Sequence, residues 1–116
     1  MKKIGVGIVG FGFSSTTFHI PLLQTIEEYD IRAVLSSKEE VVKEALPNAN
    51  VVSTIDELVK RADIDLVVIT SPNTTHFPYV KEAILNGKHV VVEKPFVVSI
   101  EEGKELISLA EQHNVV

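Results

Sequence analysis

The stretch Ile4-Gly5-Val6-Gly7-Ile8-Val9-Gly10-Phe11-Gly12 decides the fold of this chain. Its first six residues alternate three β-branched side chains with Gly5, Gly7 and Val9, which predicts a strand with one almost bare face. Such a face lets a crossover helix pack closely against the strand. A glycine turn, Gly10-Phe11-Gly12, follows the strand directly.

Four more β-rich runs follow this first strand, and helical patterns separate them. The predicted strands are Ile31–Leu35, Val51–Val52, Leu66–Ile69 and His89–Val92. Five β-α units in series indicate an α/β fold, a Rossmann-type doubly wound parallel sheet with right-handed crossovers.

The helical patterns carry their own start and stop signals. Capping boxes open helices at Thr54-Ile55-Asp56-Glu57 and at Ser99-Ile100-Glu101-Glu102, and Gly87 is placed as a C-terminal stop. A helix over Lys38–Ala45 stops before Pro47. We expect these residues to line the inner helix faces: Phe18, Leu22, Ile26, Phe77, Val80, Ile84, Gly103, Leu106, Ile107 and Ala110.

Composition bounds the possible functions. The 116 residues are 45% hydrophobic and 23% charged, which predicts one globular domain over 1–116. A net charge of -5 without a basic stripe argues against nucleic acid, and no apolar run approaches the length of a membrane span. Zero cysteines exclude disulfides and are compatible with the predicted cytoplasmic location. The four histidines lack metal-ligand spacing, so no metal is predicted.

Topology sorts the polar residues into two groups, because ligands of such sheets bind beyond the carboxyl ends of the strands. Asp30, Asp63 and Asp65 precede strands, so we expect them on the opposite edge as solubilising groups. The residues that follow strand ends are the candidate site: Gly10, Phe11, Gly12, Phe13, Ser14, Ser15, Ser36, Ser37, Lys38, Thr70, Ser71, Pro72, Asn73, Glu93 and Lys94.

The first turn, Gly10 to Ser15, matches the dinucleotide fingerprint G-x-G-x-x-G with serine in place of the third glycine. Gly10 permits the tight turn, and Gly12 lets the backbone approach a pyrophosphate that the helix N–H groups then stabilise. Proteins that bind S-adenosylmethionine use similar loops, and a merely tight turn remains the structural alternative.

The end of the second strand bears on the choice of cofactor. An acidic residue there would bind the ribose 2′-hydroxyl of NAD(H), but this chain has Ser36-Ser37-Lys38 and no carboxylate before Glu39. Hydroxyls and an ammonium suit a 2′-phosphate, so NADP(H) is favoured over NAD(H). Alternatively, Ser36 or Ser37 caps the following helix, and both interpretations can hold together.

These motifs together resemble the N-terminal domain of the Gfo/Idh/MocA oxidoreductases, the family of glucose-fructose oxidoreductase and inositol dehydrogenase. The resemblance covers essentially the whole chain. It is carried by the glycine turn, by Thr70-Ser71-Pro72-Asn73 with His76, and most specifically by the strand that runs from Gly87 to Glu93-Lys94-Pro95. Ser15 and the absence of an acidic residue after strand two depart from the family pattern.

The resemblance implies that Lys94 contacts the substrate hydroxyl and moves its proton while hydride passes to or from nicotinamide. Glu93 would favour the charged lysine, and burial would favour the neutral one. The structural alternative is a surface lysine paired with Glu93. Residues 70–73 would shape the loop near the nicotinamide ribose, and His76 would touch the cofactor or form a local helix-start bond.

The resemblance also implies a second domain beyond Val116 that supplies substrate contacts and an interface for homo-oligomers. The chain would then be the nucleotide-binding half of an NAD(P)-dependent oxidoreductase that acts on a sugar-like or polyol hydroxyl, inactive by itself. Two alternatives stay open. One is a non-catalytic dinucleotide sensor or regulatory module, for which Lys94 is dispensable, and the other is an S-adenosylmethionine domain.

Overall fold

Strands and helices alternate along the whole described part of this computed structural model, which comprises residues 4–10, 20–70, 75–92 and 100–116. The strands are β1 (Ile4–Val9), β2 (Tyr29–Leu35), β3 (Asn50–Val52), β4 (Leu66–Ile69) and β5 (His89–Val92). The helices are α1 (Ile20–Gln24), α2 (Glu39–Ala45), α3 (Ile55–Val59), α4 (His76–Leu85) and α5 (Ile100–Gln112).

The five strands form one parallel sheet in the order β3-β2-β1-β4-β5. From the central β1 the chain moves outward through β2 to β3, and it then returns to the other side of β1 with β4. The chain order therefore reverses beside β1, which is where sheets of this kind bind their ligands. The predicted Rossmann-type α/β fold is confirmed.

Two apolar cores lie against the sheet, which confirms that it is doubly wound. One contains Ile20 of α1 and Val42 of α2, packed with the buried strand residues Val6, Ile8 and Val34. The other contains side chains from the three later helices, among them Leu58, Val80 and Leu106. Strands covered on both faces become continuous apolar runs, as in Leu66–Ile69.

The bare face of β1 has the close helix contact that its glycines predicted. A Cβ built on Gly7 would lie 3.0 Å from Cδ1 of Leu58 in α3, and Leu58 is itself 0% exposed. A Cβ on Gly5 would overlap the carbonyl oxygen of Asp63. Any larger residue at either position therefore has to displace a packed neighbour.

Two of the predicted helix signals are visible in the hydrogen bonds. Thr54 Oγ1 accepts the Glu57 N–H at 3.2 Å, so Thr54 caps α3 as expected. Gly87 has a φ of 75° after the end of α4, where its N–H donates to the Ile84 carbonyl at 2.9 Å and the Lys88 N–H donates to the Ala83 carbonyl at 2.9 Å. This pair of bonds is the Schellman arrangement that a C-terminal glycine favours. Ser99 lies outside the described residues.

Two predicted inner-face residues are wrong. Leu22 is 63% exposed, because α1 has only five residues and directs Ile20 and Leu23 toward the core instead. Ile107 is 57% exposed on α5, where Leu106 is the buried residue. A helix of five residues offers little periodicity, so spacing alone does not fix the inner face of α1, whereas on the longer α5 the predicted face is off by one residue at Ile107. Phe18 lies outside the described residues.

Candidate functional site

Hydrogen bonds beyond the strand ends bring the first residues of three loops to one edge of the sheet. The Gly10 N–H donates to the Leu35 carbonyl at 2.9 Å, which ties the end of β1 to the end of β2. The Thr70 N–H and hydroxyl both donate to the Val9 carbonyl, at 2.9 and 2.8 Å. The Ser36 N–H donates to the last carbonyl of β3 at 3.4 Å. The carboxyl ends of four neighbouring strands are thus joined.

The start of the glycine turn has the backbone conformation that the sequence required. Gly10 has a φ of 95°, a region where a side chain is strained and glycine is not. The chain turns sharply at Gly10, and because glycine has no Cβ, no side chain covers the backbone there. Gly10 can therefore present its backbone to a ligand beyond the ends of β1 and β2.

A cavity of about 510 Å³ opens beside this turn. Its volume falls within the range of roughly 300–1,000 Å³ that is typical of small-molecule sites. It is lined by residues from the ends of β1, β2 and β3 and from α4: Val9, Gly10, Leu35, Ser36, Ser37, Ser53 and Tyr79. Three hydroxyl-bearing serines, two apolar side chains and an aromatic ring can together hold a ligand that is polar at one end and flat at the other.

Four of these lining residues are not among the sequence-predicted site residues: Val9 and Leu35, which are the last residues of β1 and β2, and the polar Ser53 and Tyr79. Ser53 follows β3 directly, so the rule for strand carboxyl ends would have identified it if β3 had been a stronger pattern. Tyr79 lies on α4, one turn after the helix begins, and no motif marks it. Only the packing of α4 on the sheet brings its side chain to the cavity.

The segment Ser36-Ser37-Lys38 forms a tight turn directly before the N-terminus of α2. Ser36 Oγ accepts the Lys38 N–H at 3.0 Å, while Lys38 itself occupies the position before the helix and provides no side-chain cap. Neither serine therefore caps α2 in the way that the alternative supposed. Within the described ranges the exposed Lys38 side chain makes no ion pair, and Glu39 and Glu40 fill the first turn of the helix behind it.

His76 is buried at the start of α4, with 0% of its surface exposed. It is not among the described residues that line the cavity, and neither is Thr70. A contact between His76 and a bound cofactor stays a prediction.

The remaining predicted site residues lie outside the described residues. They are Phe11, Gly12, Phe13, Ser14, Ser15, Ser71, Pro72, Asn73, Glu93 and Lys94. Val92 pairs in register with Ile69, so β4 and β5 end together at the same edge that carries Gly10. β5 therefore ends at the carboxyl edge, one residue before Glu93, and the role of Lys94 stays a prediction.

The opposite edge holds the three aspartates in structural contacts. Asp65 Oδ2 accepts the Gly5 N–H at 2.9 Å, and the Asp65 N–H donates to the Gly5 carbonyl at 2.7 Å. Arg32 donates to Asp30 Oδ2 at 3.0 Å and to the Asp63 carbonyl at 2.8 Å. The expectation that these residues merely solubilise the edge is wrong, because their carboxylates and carbonyls fasten β1 and β2 to the turn before β4.

Arg61 completes this edge. Its guanidinium donates two hydrogen bonds of 2.9 Å to the Asp63 carboxylate. These bonds hold the pKa of Asp63 below its ordinary value and raise the pKa of Arg61.

A second cavity of about 370 Å³ opens at this opposite edge between Leu23, Tyr29 and Leu46, but no glycine turn is among its described lining residues and the strands begin rather than end beside it. Parallel sheets of this kind bind their ligands at the carboxyl edge, so the first cavity is the better candidate site.

Two classes of site are missing from the described ranges. No group of three or more His, Cys, Asp or Glu side chains comes together there in a way that could hold a metal ion. None of the helices in those ranges is long and apolar enough to cross a membrane.

The sequence of this chain matches a known protein family. Residues 4–116 match a family model described as "Oxidoreductase family, NAD-binding Rossmann fold", which is the Gfo/Idh/MocA family. The chain belongs to this family. The resemblance that the sequence motifs carried is thereby confirmed.

Relatives of known structure or activity share the domain. The Bacillus subtilis scyllo-inositol 2-dehydrogenase (NADP(+)) IolW is 40% identical over 100% of this chain and 32% of its own length. The Bacillus subtilis protein yvaA has a crystal structure with a TM-score of 0.97, at 39% identity, over 99% of this chain and 34% of that one. GenD2 from gentamicin A biosynthesis, solved in complex with NAD, gives a TM-score of 0.91 at 31% identity, over 100% of this chain and 34% of its own. The chain thus spans about a third of the length of these relatives.

Proposed function

We propose that this chain is the nucleotide-binding part of an NAD(P)-dependent oxidoreductase that transfers hydride to or from a sugar-like or polyol hydroxyl. The observation that carries the proposal is the carboxyl edge that the hydrogen bonds of Gly10, Ser36 and Thr70 join together, with a cavity of about 510 Å³ lined by Gly10 and Ser36. Membership of the oxidoreductase family supports the reaction class. IolW supports a polyol as the kind of substrate.

The residues at this edge fit a dinucleotide. Gly10 has a positive φ and no side chain at the turn, where a pyrophosphate would approach the backbone. The Ser36 and Ser37 hydroxyls, at the end of β2, lie where a ribose and its 2′-substituent would bind. Ser36 Oγ accepts one N–H and still has its own proton to donate.

We propose NADP(H) as the preferred form, with NAD(H) second. The end of β2 offers two serines and the exposed cation of Lys38, and it offers no carboxylate before α2 begins at Glu39. An ammonium attracts a phosphate, while a carboxylate would repel it. Glu39 and Glu40 count against this preference, because their negative charges in the first turn of α2 weaken the attraction of Lys38 for a 2′-phosphate. Among the relatives, IolW is named for NADP(+) and GenD2 was solved with NAD.

A charge reversal at Lys38 tests this preference. In Lys38→Asp we expect NADPH to bind about 10-fold more weakly, since a charge-assisted contact is lost, while NADH binds as well as before or better. Nicotinamide fluorescence titrations of the complete protein measure both affinities. Lys104→Asp makes the same charge change at an exposed position of α5 that is not among the described cavity-lining residues, and it serves as the control. An equal loss of affinity for both dinucleotides would contradict the assignment.

Lys94 is proposed as the group that handles the substrate proton. The bound nicotinamide supplies the hydride chemistry, and the lysine would hold the proton that the hydroxyl gives up or takes back. Support comes from the family resemblance and from the position of the segment, which follows β5 at the carboxyl edge. In the complete protein, Lys94→Ala should keep dinucleotide affinity and lose most of kcat. Normal turnover would remove this role, and a wild-type protein that binds dinucleotide without turning over polyols would favour the sensor alternative.

Two further expectations accompany the proposal. The complete protein is proposed to form a homo-oligomer and to act in the cytoplasm, as the family resemblance and the absence of cysteine suggest. Light scattering of the purified complete protein measures the first, and a monomeric mass would contradict it. Fractionation of cells that express it measures the second.

A further inference from the structure

The aromatic side chain in the wall of the cavity has no role in the function proposed above. Tyr79 is half-buried on α4 and packs beside the core that contains Val52, Ile69 and Val80. Its exposed part lines the same cavity as Gly10 and Ser53. Tyr79 is thus the residue of α4 that contributes to the cavity wall.

The strand order decides which half of a dinucleotide reaches this surface. The described lining residues come from the ends of β1, β2 and β3 and from α4, so the cavity lies on one side of the reversal beside β1. The ends of β4 and β5 lie on the other side. A dinucleotide that crosses the turn at Gly10 therefore places one nucleoside in the cavity and the other beyond it. In folds of this kind the end of β2 contacts the ribose of the adenosine half.

The remaining walls suit adenine. Beyond the ribose position at Ser36 and Ser37, the cavity offers the Ser53 hydroxyl and the Tyr79 ring. Adenine is a flat ring with hydrogen-bonding atoms around its edge, and such bases stack on aromatic side chains. A hydroxyl can donate to or accept from the edge of a base that is stacked in this way.

We propose that Tyr79 is the adenine-positioning residue of this site, with its ring packed against the base and Ser53 at the edge of the base. The proposal rests on dinucleotide binding at the carboxyl edge and adds the contact that anchors the adenosine half. Tyr79 is a binding residue rather than a catalytic one, because the hydride passes at the other nucleoside.

Two substitutions separate the ring from its packing role. Tyr79→Phe keeps the ring and removes only the hydroxyl. Tyr79→Leu keeps an apolar side chain against the core and removes the flat surface. Tyr29→Leu is the matched control, because Tyr29 is the other tyrosine of the chain, is equally half-buried, and lines the cavity at the opposite edge.

Affinities for three probes give the readout in the complete protein: NADPH by nicotinamide fluorescence, adenosine 2′,5′-bisphosphate by its displacement of NADPH, and reduced nicotinamide mononucleotide by the same fluorescence. We expect Tyr79→Leu to weaken NADPH and the bisphosphate by about 10-fold and to leave the mononucleotide unchanged, since it has no adenine. Tyr79→Phe and Tyr29→Leu should stay within about 3-fold of wild type for every probe, a change below about 0.7 kcal/mol.

The outcomes distinguish this proposal from the proposed function. Wild-type affinity for the bisphosphate in Tyr79→Leu would overturn the role of Tyr79 and leave dinucleotide binding intact. An equal loss for the mononucleotide would also overturn it, because the substitution would then act through the fold. A folded wild-type protein that binds neither NADPH nor NADH would remove the proposed function, and this inference with it.

Discussion

Replacing Lys88 with methionine should loosen the turn between α3 and β4. The Lys88 ammonium donates to the Arg61 carbonyl at 2.8 Å and to the Ile64 carbonyl at 2.7 Å. Both acceptors lie in the turn that leads into β4, whereas Lys88 lies directly before β5. One side chain thus fastens two neighbouring strand entries. Methionine has a similar length and fills the same space without a donor.

The size of the effect follows from these two bonds. A hydrogen bond with a charged partner contributes about 1.5–3 kcal/mol when its partner is left unsatisfied. Lys88 is half-buried, so water can reach part of the turn and replace some of the loss. We therefore expect Lys88→Met to lower the free energy of unfolding by about 2 kcal/mol, which is less than the roughly 3 kcal/mol lower limit for two such bonds because water replaces part of the loss.

Urea unfolding followed by circular dichroism measures this loss. With a slope of about 2 kcal/mol per molar, the midpoint should fall by about 1 M at an unchanged slope. Lys81→Met is the control, because Lys81 also pairs at 2.8 Å, but with the Glu105 carboxylate, and the two side chains are 40% and 47% exposed. Such a surface pair contributes about 0–1 kcal/mol. If the two variants lost the same stability, the fastening role of Lys88 would be refuted.

Three further stability predictions follow from the glycines and from the aspartate edge. Gly7→Val should cost about 1–3 kcal/mol, because its side chain would press on the buried Leu58. Gly87→Ala should cost only about 1 kcal/mol, since no atom lies within 4 Å of the added Cβ and the loss comes from φ alone. Urea midpoints check both. The hydrogen bonds from Arg61 hold the pKa of Asp63 below the ordinary value of 3.8, so the stabilisation is present above that pH and is lost as pH falls through the folded-state pKa. Asp63→Asn should reduce this loss of stability at low pH by well under about 1 kcal/mol, since Asp63 is partly exposed. If urea titrations showed the same loss of stability at low pH in Asp63→Asn and in wild type, the role of Asp63 would be contradicted.

The sheet and its winding could be predicted because they depend on local patterns. Apolar runs between turn signals predicted the five strands of the described residues, and the glycines of β1 predicted the close contact with Leu58. Thr54 and Gly87 marked helix ends through hydrogen bonds to neighbours in the sequence. Each of these features is decided within a few residues of the chain, which is why periodicity and turn chemistry detect it.

The contacts that depend on distant packing could not be predicted in this way. Tyr79 reaches the cavity only because α4 packs on one face of the sheet, and Asp65 binds the N–H of Gly5, which lies 60 positions away in the sequence. Leu22 has the spacing of an inner residue, yet the short α1 exposes it. Residue type and spacing alone carry no information on which neighbour each of these side chains meets.

The most direct test of dinucleotide binding at the carboxyl edge is to map the amide resonances that shift when NADPH is added to the isotope-labelled protein. We predict that the shifts cluster at Gly10, Ser36, Ser53 and Thr70 and extend to Tyr79, while Asp30, Asp63 and Asp65 at the opposite edge stay unmoved. Shifts confined to the opposite edge, around Leu23, Tyr29 and Leu46, would contradict the assignment. So would a folded protein whose spectrum does not respond to either NADPH or NADH.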